Sequence, residues 1–251
     1  MTEAVRPAAT VLLVRDGASG LEVFMVVRHH KIDFASGALV FPGGSVDPGD
    51  HAIAADPVAC GAATAMDERD RLSRVAAVRE TFEECGVLIA RRRGSDEGLG
   101  PRVAELDGKL LGRSFSELIA AENLELALDA LIPFAHWITP PILPKRFDTR
   151  FYIAAAPRDQ IAIHDGSESV DSVWISSARA LEAADAGTYT LVFATRLNLQ
   201  MLGESADVAS ALAAARARQI VTVEPVAAKT ETGYTMRIPI QAGYGGEVFE
   251  A

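Results

Sequence analysis

Hydrophobic positions along this chain recur on two periods, and the switches between them mark its elements. "AATVLLVRDG" and "LEVFMVVRHH" are two runs rich in β-formers separated by "GASG", which predicts a hairpin. "GALVFPGG" predicts a third short strand that ends in a glycine pair. Between Arg74 and Cys85, Val75, Val78 and Phe82 recur at helical spacing, so a helix with a core-facing side is expected there. Ser73 is the expected cap at its start, and Gly86 in the left-handed conformation the expected stop. Strand-like "GVLIA" follows.

The stretch 50–71 is small, polar and broken by Pro57 and Gly61, and reads as an irregular insertion. Residues 91–131 read as a polar loop and then one or two short helices around "SFSELIAAENLELALDAL". "LIPFAHWITP", "RFDTRFYIAAAP" and "SVDSVWIS" predict further strands, and helices are expected over 177–186, 190–202 and 206–217. "QIVTVEPVA" and "YTMRIPI" are two closing strand candidates, and no internal repeat is evident. This order predicts the α/β class: a mixed sheet with helices on both faces, in an α/β/α sandwich. One domain is expected over 1–251, with a core of about 7–90 and 130–185, an insertion at 51–71, a helical segment at 91–130 and a C-terminal extension at 190–251.

Composition narrows the function. Hydrophobic residues make up 49% and charged residues 23%, as in an ordinary globular protein. No window approaches about 18 uninterrupted apolar residues, so no membrane span is expected. The start, "MTEAVRPAAT", has neither the basic region nor the apolar stretch of a secretory signal. Cys60 and Cys85 have no metal-type spacing and suggest no disulfide framework, so a cytoplasmic setting is expected. A formal charge of −10 argues against a nucleic-acid partner, which would need a basic face. Small anionic substrates met by local arginines are still compatible with it.

The candidate chemistry sits on the helix around residue 80. At spacings of three and four, Glu80, Glu83 and Glu84 share one side of it. Like charges at that spacing cost roughly 0.2–0.5 kcal/mol per pair. Carboxylates near a helix C-terminus cost about 0.3–1 kcal/mol each. Arg79, four before Glu83, offsets part of this. A divalent cation such as Mg²⁺, which prefers carboxylate oxygen, would remove the conflict. A solvated acidic face with one Arg–Glu pair is the plain alternative.

Upstream, "FPGG" and "GSVDPGD" give a glycine, five residues and Asp50; after the insertion, seven residues "LSRVAAV" lead into "RETFEECGV". This resembles the signature of the Nudix hydrolases, G-x5-E-x7-R-E-U-x-E-E-x-G-U, where U is a bulky apolar residue. Arg79, Glu80, Glu83, Glu84, Gly86 and Val87 match, with Ala76 and Ala77 at the usual small positions. Asp50 stands where glutamate is expected, Thr81 replaces an apolar residue, and residues 51–71 split the motif. The resemblance covers residues 7–90 most clearly and 130–185 more loosely.

It implies a Nudix-type sandwich that hydrolyses a nucleoside diphosphate linked to another group. Glu80, Glu83 and Glu84 would hold one to three Mg²⁺ or Mn²⁺ ions, Arg79 would orient Glu83, and Gly43 and Gly44 would shape the turn beside metals and phosphates. Asp50, a shorter acid, would contribute little to the metal site. The base would be Glu80 or an acid on "HDGSESVD", where Glu168 is also a candidate metal ligand; an exposed loop acid is the alternative for Glu168. The arrangement around "RHHKIDFASGALVFPGG" and "HWITPPILPKRFDTRFY" resembles a branch related to peroxisomal-type acyl-CoA diphosphatases. That implies cleavage of CoA or acyl-CoA to 3′,5′-ADP and (acyl-)4′-phosphopantetheine, with Arg28, Arg146 and Arg150 as candidates for gripping its phosphates.

Alternation places Phe147, Thr149 and Phe151 on one face of a strand, and Arg146, Asp148, Arg150 and Tyr152 on the other. An Arg150–Asp148 surface pair is the alternative for those two. Trp137 reads as structural more readily than as an adenine platform, and His29 and His30 as surface or pocket-edge residues. ADP-ribose, NADH or a damaged nucleoside triphosphate are alternative substrates, and a non-catalytic ligand-sensing Nudix module is an alternative class. For residues 190–251, closure over an acyl-pantetheine arm and a homodimer interface are both open.

Overall fold

The computed structural model describes residues 4–28, 37–95, 98–110, 112–164, 169–231 and 233–250. Its strands and helices run β1 (Arg6–Gly17), β2 (Gly20–Arg28), β3 (Leu39–Val40), β4 (Gly43–Ser45), α1 (Pro48–Ala55), α2 (Pro57–Cys60), α3 (Glu68–Cys85), β5 (Ala90–Arg92), α4 (Val103–Leu110) and α5 (Phe115–Ala121). They continue with β6 (Leu124–Leu126), β7 (Ile132–Ile138), β8 (Phe147–Ala155), β9 (Ser169–Ile175), α6 (Ser177–Asp185), α7 (Phe193–Leu202), α8 (Val208–Ala217), β10 (Thr222–Val223), β11 (Val226–Lys229), β12 (Tyr234–Arg237) and β13 (Val248–Glu250).

The main sheet is mixed, as expected. β1 pairs parallel with β8 and antiparallel with β2 and β4, while β7 pairs antiparallel with β8 and parallel with β10. Each face has its own core, because successive β1 residues point to opposite sides. Val11 and Leu13 pack with Val75, Val78 and Phe82 of α3; Leu12 and Val14 pack with Leu197, Leu199 and Ala211 of α7 and α8. That is the α/β/α sandwich. A small separate sheet, β11–β12–β13, closes the described chain.

Several local expectations need correction. Helix α3 begins at Glu68, and its cap is Asp67, which accepts from the Arg69 and Asp70 amides. Ser73 lies inside it, buried, with its hydroxyl on the Asp70 carbonyl and the Tyr152 hydroxyl. The insertion 51–71 is mostly helical rather than irregular. Pro48 and Pro57 sit at the first helical positions, where a missing N–H costs nothing, each behind an aspartate cap, Asp47 and Asp56. Pro57 is a starter, not a breaker. The third strand is split into β3 and β4 by Phe41 and Pro42, and Val87 to Ile89 form buried irregular chain ahead of β5. The Gly86 stop is as expected, at φ 67°.

Candidate active site

The last two turns of α3 present two unlike sides. Val78, Phe82 and Cys85 are buried toward the core, as are Ala76 and Ala77 a turn earlier. Thr81 is buried too, and its hydroxyl donates to the Ala77 carbonyl at 2.7 Å, so this departure from an apolar residue leaves no unpaired polar group. On the other side stand Glu80, Glu83 and Glu84.

Arg79 organises these acids. Its Nε and Nη2 donate to the two oxygens of Asp50 at 2.8 and 3.0 Å, a bidentate pair. Its Nη1 donates to Glu80 Oε1 and Glu83 Oε2, both at 2.8 Å, and Nη2 also reaches the Ser45 carbonyl at 2.9 Å. All five donors are engaged. Asp50 is fully buried and also accepts from the Asp47 amide at 2.8 Å, completing a capping box at the start of α1. Asp50, expected to contribute little to the metal site, has another role: it is the anchor of Arg79. A sequence signal existed in "DPGD", an acid three residues after a capping acid.

The glycine pair lies against the acids. Gly43 donates its amide to Glu84 Oε2 at 2.9 Å. Its φ is +153°, and a β-carbon there would sit 2.3 Å from the Ala9 carbonyl oxygen, so only glycine fits. At Gly44 a β-carbon would lie 2.5 Å from Glu80 Oε1. Gly44→Ala is therefore expected to displace the Glu80 carboxylate, the flexible end of a long side chain, while β4 stays paired. Turnover should fall at least about tenfold, with the melting temperature within a few degrees of the parent. A kinetic assay beside a thermal melt checks both halves.

Burial pushes the Glu80 carboxyl up to about 7, against the pull of Arg79 and with help from Glu83 and Asp50. Glu83 is raised as well, again mainly by burial and against Arg79. Burial opposes charge on Arg79, yet the Asp50 hydrogen bond and the charges of Glu80, Asp50 and Glu83 hold it above its ordinary value. Three carboxylates, Asp50, Glu80 and Glu83, thus share one guanidinium, with Glu84 on the Gly43 amide beside them. Among the described residues, no three histidine, cysteine or acid side chains already converge as a metal cage; Glu80 and Glu83 share Arg79 instead. The donor set nonetheless suits a hard divalent cation: it is all oxygen, and its negative charge exceeds what Arg79 can balance.

These acids line one cavity of about 520 Å³, together with Gly43, Gly44 and Arg28. Arg28 stands at the end of β2, and its buried Nε finds no acceptor among the described residues. Phe147, Thr149 and Phe151 share a face, as the alternation implied, and it is this face that lines the cavity. The same alternation removes Arg146 and Arg150, which are not brought to it. Arg146 donates to the Thr139 carbonyl and to Glu224 at 3.0 and 2.6 Å. Arg150 lies 3.6 Å from Asp70, while Asp148 meets Arg69 and His136, so the Arg150–Asp148 pair does not form either. Trp137 is 4% exposed, with Nε1 donating to the Tyr244 hydroxyl at 2.9 Å, in keeping with its structural reading. Glu168, His29 and His30 lie outside the described residues. Phe193, Pro225 and Met236 also line the cavity, and nothing local in the sequence marks them.

A mixed-sheet sandwich whose acid-bearing helix packs beside a glycine strand defines the Nudix hydrolase fold. The chain belongs to the Nudix family: the family model for the NUDT19 Nudix domain matches residues 61–191. The crystal structure of a NUDIX hydrolase from Alicyclobacillus acidocaldarius is similar at 30% identity and a TM-score of 0.71, covering 85% of this chain and 97% of that one. "Putative nudix hydrolase 7" of Caenorhabditis elegans is 29% identical over 193 residues, 76% of this chain and 58% of that protein. "Acyl-coenzyme A diphosphatase NUDT19" of Homo sapiens is 32% identical over 124 residues, 44% of this chain and 33% of that protein. The chain thus spans at most 58% of the length of these two curated relatives.

Proposed function

We propose that this chain is a metal-dependent pyrophosphohydrolase acting on CoA or acyl-CoA, with 3′,5′-ADP and (acyl-)4′-phosphopantetheine as products. The observation that carries this reading is a single cavity joining the acid cluster to a lining that is otherwise mostly apolar. The resemblance to acyl-CoA diphosphatases points the same way.

Glu80, Glu83 and Glu84 would hold Mg²⁺ or Mn²⁺, which supplies charge neutralisation at the diphosphate and a more acidic attacking water. The chain's own residues do the rest. Arg79, anchored on Asp50, holds Glu80 and Glu83 at fixed positions. Arg28 offers its unpaired Nε–H to a phosphate oxygen, a charge-assisted bond that would satisfy a buried donor. Gly43 and Gly44 keep side chains out of the space between the acids and the substrate. Glu80, its carboxyl raised by burial to about 7, is among the described residues a candidate to receive the proton of the attacking water.

A small anionic substrate agrees with the net charge of −10, since binding relies on local cations rather than a basic face. Among the described residues, no helix is long and apolar enough to cross a membrane. The test is product analysis by mass spectrometry on a panel of CoA, octanoyl-CoA, ADP-ribose and NADH in H₂¹⁸O with Mg²⁺. The expected products are 3′,5′-ADP and phosphopantetheine species, the label marking the phosphorus attacked. Turnover of ADP-ribose with none of CoA or its thioester would overturn the substrate assignment.

A further inference from the structure

The two ends of the cavity differ in chemistry, and the strand register shows how far apart they lie. Ser45 of β4, Ala8 of β1, Thr149 of β8 and Trp137 of β7 form one row across neighbouring strands. At about 4.8 Å per strand, β4 and β7 are roughly 14 Å apart. The glycines and acids sit over the β4 end, with Arg28 on the same side of β1. The β7 end is built differently.

There Trp137 meets Phe193 edge-on at 5.8 Å, and Phe193 meets Phe249 at 5.7 Å. Phe249 of β13 is directly opposite Met236 of β12, so their side chains share a face, and Met236 lines the cavity half-buried. Pro225, just after β10, stands beside the strand that pairs with Trp137. Phe193, Pro225 and Met236 all lie beyond residues 61–191, the part of the chain that matches the family model. Among the described lining residues, only Arg28 and Arg79 are cationic, and Arg79 is fully engaged by the acids, Asp50 and Ser45. Among the described residues, the β7 end therefore offers no cationic side chain to a second phosphate.

Nor does Trp137 offer a platform to a base. Trp137 is almost wholly buried, packed against Phe193 and tilted against Tyr244 at 5.3 Å, so no open indole face is left for stacking. A flexible, uncharged arm that gains from apolar contact is what such a wall accommodates.

We propose that the segment after residue 190 is the specificity wall of the site, with Met236 and Phe193 closing over the S-acyl chain of an acyl-pantetheine arm. This rests on the acyl-CoA reading above. The wall makes the enzyme discriminate between acyl groups, and Met236 sets the depth available to them.

The test compares Met236→Trp, which fills the end of the cavity, and Met236→Ala, which deepens it. For each, kcat/KM is measured on acetyl-CoA and octanoyl-CoA in Mg²⁺. The octanoyl-to-acetyl ratio should drop about tenfold in Met236→Trp and stay at or above the parent's in Met236→Ala. Ratios within twofold of the parent in both variants, or an equal loss on both substrates as a base-binding wall would give, overturn the proposal. Calorimetry with 4′-phosphopantetheine and its S-octanoyl form separates this from failure of the substrate reading. If the parent cleaves no CoA thioester but prefers the octanoyl form, and Met236→Trp erases that preference, the wall stands and the substrate reading falls. Equal binding of both forms to the parent overturns the wall itself. Should Met236→Trp fail to fold, the same calorimetric preference measured in Met236→Phe, a smaller obstruction, decides: a weakened octanoyl preference supports the wall, an unchanged one overturns it.

Discussion

Glutamine at position 83 or 84 is expected to abolish hydrolysis while leaving the fold intact or slightly more stable. The amide is nearly isosteric with the carboxylate and keeps an acceptor oxygen. Glu84→Gln can still receive the Gly43 amide, and Glu83→Gln can still receive Arg79 Nη1. Only the negative charge is lost. For stability that is a small gain, since like charges on one helix face repel by roughly 0.2–0.5 kcal/mol per pair. Position near the end of α3 adds about 0.3–1 kcal/mol per carboxylate against the helix dipole. For catalysis the loss is large, because the charge is what would bind the cation; a drop of at least about 100- to 1,000-fold is expected. Opposite signs for stability and activity mark a functional site. Thermal melts and steady-state kinetics in Mg²⁺, on a substrate the parent cleaves, measure both. Near-parental turnover in both variants would remove these acids from the chemistry.

The parts of the site that were legible in the sequence are those governed by local spacing. Three acids at helical intervals needed only the 3.6-residue period to be placed on one side of α3, and Gly86 marked its end. Alternation along Phe147 to Tyr152 correctly separated the cavity-lining residues from the rest. The error at Arg146 and Arg150 came from choosing residues by chemistry when the alternation already set them opposite Phe147, Thr149 and Phe151; which face meets the cavity is a tertiary fact. The Asp50–Arg79 contact is hidden in the sequence for a related reason. The two residues are 29 apart in the chain, across an insertion whose prolines looked like breaks but start helices. The wall of Phe193, Pro225 and Met236 is assembled from α7 and the small sheet, and no local pattern joins elements so far apart.

Arg79 joins what was legible to what was not, and removing it is expected to damage stability and activity together, unlike removing its acids. In Arg79→Met the alkyl stem still packs, but Asp50 is left as a fully buried carboxylate whose charge no cation meets. Breaking a buried pair on one side costs about 3–5 kcal/mol, because the remaining charge is uncompensated. For a chain of this size that lowers the melting temperature on the order of 10 °C. Activity should fall at least as far as in Glu83→Gln, since Glu80 and Glu83 lose the donor that holds both. The partner change separates the two effects. Adding Asp50→Asn to Arg79→Met removes the stranded charge, and the neutral amide can still accept from the Asp47 amide, so most of the melting temperature should return. Activity should not return, because the acids still lack their organiser. A double variant as unstable as Arg79→Met would mean that Arg79 stabilises through packing or the Ser45 carbonyl rather than through Asp50. Recovery of turnover alongside stability would mean that the acids keep their geometry without it.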